Sequence, residues 1–173
     1  MGNGEIATKI SLSPVVVSSQ SRIERRIENI WPIMMDFHAW NPNYVDAQVD
    51  EIEKTQADLG GIVYIRAPIV RETGRPAIEF YCKTVAVDVH RSVVWFMYPK
   101  ENYVFNGQED PFRNFVDFTF TDEGDHILFK LTYFAQLRMA PADLAVEIAA
   151  MQSRYDAVTR ALSDYCHVKI ATT

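Results

Sequence analysis

The chain has 173 residues, of which 48% are hydrophobic and 23% are charged. A net charge of −6 argues against binding to nucleic acid or to anionic membrane surfaces, because both need a basic face on the protein. At this length we predict one domain over 1–173, with a flexible start at 1–9 and a sizeable core. No signal peptide or membrane-spanning run is evident, so we expect a cytoplasmic protein without integral membrane association.

The first predicted elements are a strand at 10–21 and a short helix. Apolar residues three or four apart form one stripe on this helix: Ile27, Ile30, Trp31, Met34 and Phe37. We predict Asn29 as the N-cap, since its side chain can accept from a backbone N–H of the first turn. Pro32 would then lie near the start of the helix, which should end by Trp40 because Pro42 disfavours helical backbone before it.

Four strands are predicted in the middle of the chain, at 45–54, 62–70, 77–89 and 92–98. Gly60-Gly61 is predicted as the hairpin turn between the first two strands, and His90-Arg91 as the turn between the last two. The strand at 45–54 alternates apolar and acidic residues, so one of its faces should be wet. Its apolar face would consist of Val45, Ala47, Val49 and Ile52.

Alternation also assigns faces in the strand at 77–89. Phe80 and Cys82 are predicted on the inner face, which leaves their neighbours for solvent: Glu79, Tyr81 and Lys83. The strand that contains Trp95 has apolar residues on both faces, so alternation does not show which side of it faces inward.

The connection at 99–111 is the longest one predicted to be irregular. It contains Gly107, two prolines and a mixture of Asn and Glu. Loops of this length are often functional lids, and a solvated loop between strands is the alternative.

The last elements are two strands at 112–121 and 126–139 and a long helix at 141–166. Pro141 suits the first turn of that helix. The spacing between successive apolar residues of this helix is alternately four and three positions, which predicts one continuous buried stripe. Its residues are Leu144, Ile148, Met151, Tyr155, Val158, Leu162 and Tyr165. Strands followed by one long helix that covers their apolar face form an α+β arrangement.

These patterns together resemble a known superfamily. The segment with Trp31, Asp36-Phe37, Trp40 and Pro42, together with the Gly60-Gly61 turn and the long last helix, is similar to the START-like proteins. These are also called SRPBCC or helix-grip proteins, and the similarity is to their polyketide cyclase/dehydrase-like members. The resemblance implies a curved antiparallel sheet of about six or seven strands around a long C-terminal helix, with a short helical segment after the first strand. It also implies an apolar cavity, but no catalytic motif that could be carried over.

The last hairpin gives two candidate polar residues. A two-residue turn at Glu123-Gly124 would pair Phe120 with Ile127, and the same register would place Asn114 opposite Tyr133. Both side chains would lie on the apolar face. They could satisfy each other in the core or at the sheet edge, or they could orient a ligand, with Tyr133 as a general acid.

His38 is the third candidate catalytic residue, because it lies between Phe37 and Trp40 and could reach a cavity mouth. Trp40 could pack in the core or line the cavity. The candidate ligand-binding residues are apolar or aromatic: Met35, Trp40, Tyr44, Phe80, Trp95, Val116, Phe118, Phe129, Leu131, Met151 and Tyr155.

Several kinds of site are not indicated. The four histidines lack metal-ligand spacing, as do Cys82 and Cys166, so no metal is expected, although a disulfide between these two cysteines stays open. There is no GxGxxG or P-loop sequence and no GxSxG motif, which leaves no expected cofactor and no support for a serine hydrolase.

The leading functional hypothesis is binding of a hydrophobic, aromatic or polycyclic small molecule in an internal cavity. A cofactor-free cyclisation, dehydration or lyase-type reaction could follow, with polar groups that move protons. A non-catalytic carrier or sensor of a lipid, quinone or similar ligand is the alternative, and a protein-interaction module is a third. A homodimer is compatible with the sequence, which does not identify the ligand or the oligomeric state.

Overall fold

The computed structural model describes residues 11–42, 48–53, 57–67, 78–100, 103–105, 108–110 and 114–170. Its strands are β1 (Ser11–Ile23), β2 (Gln48–Glu53), β3 (Ile62–Ala67), β4 (Ile78–Asp88), β5 (Ser92–Pro99), β6 (Tyr103–Phe105), β7 (Gln108–Asp110), β8 (Asn114–Asp122) and β9 (Ile127–Met139). Its helices are α1 (Ile27–Met35), α2 (Phe37–Trp40) and α3 (Pro141–Ile170). The start at 1–9, predicted to be flexible, lies outside the described residues.

One antiparallel sheet of seven strands organises the fold, in the order β1-β9-β8-β5-β4-β3-β2. The first strand pairs with the last one from Ser11 opposite Met139 to Ile23 opposite Ile127. α3 packs against these two strands, and α1 and α2 also contact α3. The predicted α+β helix-grip arrangement is therefore confirmed, with its curved sheet, its short helical segment after β1 and its long C-terminal helix.

The predicted start of the first helix is wrong. α1 begins at Ile27 with Arg26 as its N-cap, and the N–H of Asn29 donates to the carbonyl of Arg26 at 3.0 Å. Asn29 is therefore already inside the first turn, because β1 extends to Ile23 and the chain turns immediately after it. Pro32 consequently lies inside the helix. The predicted end of the helical segment at Trp40 is confirmed, although α1 stops at Met35 and α2 is a separate turn.

The apolar face predicted for β2 is wrong at Ile52, whose side chain is 58% exposed. The pairing of β2 with β3 shifts register between Glu51 and Glu53, so Ile52 has no partner residue in the ladder. This irregularity turns the side chain outward, as β-bulges do. Val45 and Ala47 lie outside the described residues.

The connection predicted to be irregular contains secondary structure. β6 and β7 pair as a short antiparallel hairpin, with Tyr103 opposite Asp110 and Phe105 opposite Gln108. Because each strand has only three residues, the alternation signal was too short to be recognised in the sequence.

The predicted register of the last hairpin is also wrong, by two residues. Phe120 pairs with Phe129 instead of Ile127, and the directly opposite partner of Tyr133 is Val116. Asn114 pairs on its other side with Met97 of β5. Asn114 and Tyr133 are thus not direct cross-strand partners.

Gly124 explains the difference in register. It has a φ of +92°, and the N–H of Glu123 donates to the carbonyl of His126 at 3.0 Å, so the turn is centred on Gly124-Asp125. Two-residue hairpin turns require a positive φ at their first central position, which glycine adopts at little cost. The predicted turn would have placed Glu123 in that conformation.

A polar seam joins α3 to β1 through Ser18, Ser19, Gln152, Asp156 and Thr159. Ser19 Oγ donates to Asp156 Oδ1 at 2.6 Å and lies 2.9 Å from Thr159 Oγ1. Gln152 Nε2 donates to the carbonyl of Ser18 at 3.0 Å and to Asp156 Oδ1 at 2.9 Å. Ser19 and Thr159 are buried, so these bonds satisfy groups that would otherwise destabilise the interface. They also set the position of the helix along the strand.

Asp156 should make this polar seam sensitive to pH. Hydrogen bonds from Ser19 and Gln152 hold the pKa of Asp156 below its ordinary value. With a depressed folded-state pKa, its contribution to stability is present above the unfolded pKa of ~3.9 and is lost as the pH falls through the folded pKa. We expect the stability advantage of the natural chain over Asp156→Ala to shrink between about pH 5 and pH 3, measured by urea unfolding.

The matched control for this prediction is Ser19→Ala. In that background the effect of Asp156→Ala should be smaller and depend less on pH, because the principal hydrogen bond to the carboxylate has gone. A difference in unfolding free energy between the natural chain and Asp156→Ala that stays constant down to pH 3 would contradict the assignment.

Candidate functional site

Most of the predicted site residues share the inner face of the sheet, which is the face turned toward α3. On β5 the alternation resolves the two sides, since Trp95 is 3% exposed whereas its neighbours are more open. The buried residues of this face on β4, β5, β8 and β9 are Phe80, Cys82, Thr84, Val93, Trp95, Met97, Asn114, Val116, Phe118, Phe120, Ile127, Phe129, Leu131, Tyr133 and Ala135. On the outer face Phe115 is 44% exposed and Phe134 is 40% exposed. Glu79, Tyr81 and Lys83 are partly exposed, and they alternate with buried Phe80 and Cys82 as predicted.

Aromatic rings dominate the centre of this inner face. Trp95 lies edge-on to Phe118, with ring centroids 4.8 Å apart. Phe129 stacks between Phe118 and Phe120, at centroid distances of 6.0 Å and 5.1 Å. Contacts of this kind add to the stabilisation from burial alone. The sheet therefore presents a rigid aromatic wall.

Burial is uneven along the apolar stripe of α3. Val158, Leu162 and Cys166 in its C-terminal half are at most 1% exposed. In its N-terminal half, Leu144 and Ile148 belong to the same apolar stripe but remain partly exposed. The prediction of one continuous buried stripe is thus confirmed in direction, since all seven residues lie in the core or pack against it, but it is wrong in extent, because Leu144, Ile148, Tyr155 and Tyr165 are only partly buried. Burial is complete at Val158 and Leu162 and lower at Leu144 and Ile148 near the start of the helix, although Met151 is also buried and Tyr165 is only partly buried.

Two tyrosines meet where the coverage changes. Tyr133 of β9 is 4% exposed, and its ring lies 4.7 Å from that of Tyr155, which is partly exposed on α3. Met151 is 5% exposed one helical turn before Tyr155. Three of the predicted site residues, Tyr133, Met151 and Tyr155, therefore lie together where α3 faces β9.

α1 and α2 also pack over the aromatic wall. Phe37 lies 5.0 Å from Trp95 between ring centroids, and Trp40 donates from Nε1 to the carbonyl of Met34 at 3.3 Å. Trp40 is only 4% exposed, so the structure places it in the core. Met35 is partly buried against the same core.

Two predicted residues cannot be placed in the site. The backbone of His38 lies in α2, but its side chain is not among the described atoms. Tyr44 lies outside the described residues. Their predicted roles in catalysis and ligand binding stay predictions.

Unpartnered hydrogen-bond donors are the feature that sequence reasoning missed. Asn114 is 2% exposed, and within the described part of the chain nothing accepts a hydrogen bond from its Nδ2. The same holds for Nε1 of Trp95, which is 3% exposed. Alternation could predict the face of Asn114. Nothing in the sequence indicates that the indole N–H of Trp95 would be buried without an acceptor.

In the described part of the chain, the ionisable groups with shifted pKa values lie away from Asn114. On the outer face, a hydrogen bond with Tyr64 and the charge of Lys100 hold the pKa of Glu79 low, while burial raises the pKa of Tyr64. Burial also raises the pKa of Cys166 to about 11, so its thiol stays protonated and unreactive at neutral pH. Neither the Tyr64–Glu79–Lys100 group nor Cys166 lies beside Asn114.

Metal ligands do not converge in the described part of the chain, where no group of three or more His, Cys, Asp or Glu residues could hold an ion. Among the helices that the structure describes, none has the length and apolar character needed to cross a membrane.

No protein-family model and no curated protein matches this chain. Solved structures match it over most of its length. An aromatase/cyclase from a Streptomyces species aligns with a TM-score of 0.66 at 11% identity, covering 91% of this chain and 96% of that one. A protein of unknown function from Staphylococcus aureus gives 0.68 at 9% identity, with coverages of 92% and 98%.

A major latex-like protein from Panax ginseng aligns with a TM-score of 0.56 at 17% identity, over 88% of this chain and 97% of that one. At such low identities these similarities establish the fold. The resemblance to helix-grip, START-like proteins is confirmed at that level.

Proposed function

We propose that the protein binds a hydrophobic, aromatic or polycyclic small molecule between the N-terminal half of α3 and the inner face of the sheet. The observation that carries the proposal is the uneven burial along α3. Leu144, Ile148 and Tyr155 share a stripe with fully buried residues, yet they are only partly buried against the core. Covering this apolar surface with a ligand would release water from it. Each Å² of apolar surface removed from water contributes roughly 25 cal/mol to the binding free energy.

The residues around this region favour an aromatic ligand. Trp95, Phe118 and the Tyr133–Tyr155 pair provide flat faces and edges against which a planar molecule can pack. Met97 and Met151 add adaptable side chains beside them. The similarity in fold to an aromatase/cyclase agrees with such a ligand, although that activity belongs to the Streptomyces protein.

Binding is better supported than catalysis. The polar residues buried on the inner face near Trp95 are Thr84, Asn114 and Tyr133, and none of them carries a carboxylate, imidazole or amine group. If a cofactor-free cyclisation or dehydration does occur, Tyr133 would be the general acid and Asn114 would orient the substrate. Release of an unchanged ligand under all tested conditions would favour the carrier over the enzyme.

A bulky side chain placed between the N-terminal half of α3 and the inner face of the sheet tests the proposal. Ile148→Trp adds a large ring to a partly buried position of the α3 stripe, whereas Val146→Trp adds the same ring where the side chain is 71% exposed. With fluorene as the probe, fluorescence titration should show binding to the natural chain and to Val146→Trp. Ile148→Trp should weaken this binding by about ten-fold or more, or at least about 1.4 kcal/mol.

The two variants should first be compared by thermal unfolding, so that a loss of binding is measured on folded protein. Equal fluorene affinity of Ile148→Trp and Val146→Trp would place the ligand elsewhere. Failure of the natural chain to bind fluorene or any other planar aromatic probe, together with no small molecule retained in native mass spectrometry, would refute the proposed function.

A further inference from the structure

Two buried N–H groups on the inner face lack acceptors, and both residues are more than nine-tenths buried. They are Nδ2 of Asn114 and Nε1 of Trp95. A buried donor without a partner costs a protein stability, because the hydrogen bond to water that it makes in the unfolded chain is not replaced. An apolar residue at position 114 would avoid that cost. Two buried donors without acceptors in one region of the protein therefore require an explanation.

The pairing of the strands brings the two donors into one neighbourhood. Trp95 of β5 lies opposite Val116 of β8, and Asn114, two residues before Val116, lies opposite Met97. Asn114 and Trp95 are thus diagonal neighbours on the same face of adjacent strands. Such positions are about 7 Å apart, which lets one bicyclic or tricyclic molecule reach both.

The chemistry of the donors defines what they can bind. An amide and an indole N–H are neutral donors, and the buried residues described around them include no cation. A carboxylate or phosphate would lose its hydration there without a compensating charge. A carbonyl or neutral hydroxyl oxygen needs only a donor, so it suits this environment.

We propose that Asn114 Nδ2 and Trp95 Nε1 donate hydrogen bonds to neutral oxygen atoms of the ligand, which is an aromatic ketone, a quinone or a related oxygenated polycycle. This inference rests on the proposed function, since it specifies the class of molecule bound at the same site. It assigns Asn114 and Trp95 to ligand selection and does not depend on a chemical reaction.

The test compares 9-fluorenone with fluorene, two tricyclic molecules that differ by a carbonyl in place of a methylene. The natural chain should bind fluorenone about ten-fold more tightly than fluorene, as one or two additional hydrogen bonds would produce. Asn114→Leu and Trp95→Phe should each reduce this ratio several-fold. Their affinity for fluorene should change less than their affinity for fluorenone.

Matched controls make the same substitutions outside the site. Asn29→Leu lies on the exposed side of α1, and Trp31→Phe changes a partly buried ring that contacts His90 and Phe120. Both should keep the natural ratio of affinities. Isothermal titration calorimetry on all five proteins provides the comparison.

A second readout separates ligand recognition from a structural role. Asn114→Leu removes no hydrogen bond made by Nδ2 in the ligand-free protein, so its midpoint of urea unfolding should be unchanged or higher. A lower midpoint with an unchanged fluorenone-to-fluorene ratio would overturn the inference.

The remaining outcomes separate this inference from the proposed function. Equal binding of fluorenone and fluorene to the natural chain would overturn the inference while leaving hydrophobic ligand binding intact. Binding of neither probe would count against the proposed function and would overturn the inference with it.

Discussion

Leu162→Ala is expected to lower the free energy of unfolding by about 3–4 kcal/mol, whereas Ile148→Ala is expected to lower it by about 1 kcal/mol or less. Both residues belong to the apolar stripe of α3. Leu162 is 0% exposed, so the missing methyl groups would leave a cavity. Ile148 is only partly buried, so the space left by its side chain is open to water and does not become a closed cavity.

Urea unfolding of the ligand-free proteins measures this contrast, provided that the unfolding free energy depends equally steeply on urea concentration in both variants. Val146→Ala, at a position that is 71% exposed, controls for the change in helix propensity. Similar losses for Leu162→Ala and Ile148→Ala would show that α3 packs equally along its whole length. Uneven burial along α3 would then no longer support a ligand under its N-terminal half.

The sequence was informative wherever a pattern extended over many residues. The strands at 112–121 and 126–139 and the helix from Pro141 were placed within a few residues, since alternation and helical spacing report which side of an element is apolar. The short strands β6 and β7 lack such a signal. The same limit applies to Asn29, because a helix can begin without a side-chain cap when the preceding strand already delivers the chain to its first turn.

The candidate site contains features that sequence patterns alone do not predict. Alternation correctly predicted that Asn114 and Tyr133 face inward, but the position of one glycine decided their register. Gly124 at a positive φ moves the turn by one residue and each cross-strand pair by two. The sequence could not show that Trp95 would bury an unpartnered N–H, since this depends on the positions of acceptors from distant parts of the chain.

Phe129→Ala is expected to lower the free energy of unfolding by about 3–5 kcal/mol, which is a large part of the stability of a typical domain. Phe129 is 0% exposed and stacks on Phe120, its direct cross-strand partner, and on Phe118. Its removal takes away burial and both ring contacts. Phe134→Ala on the same strand is expected to cost about 1 kcal/mol or less, because that ring is 40% exposed on the outer face.

The comparison also tests the register of the hairpin. In the observed register Phe129 faces Phe120, so the cost of Phe129→Ala should be smaller in a Phe120→Ala background, with a coupling of about 0.5–1.5 kcal/mol. Phe134 and Phe120 lie on opposite faces and should show no coupling. If Phe129 instead coupled to Phe118 alone, the turn would be centred one residue earlier. Asn114 would then lie opposite Tyr133, and the two could satisfy each other without a ligand.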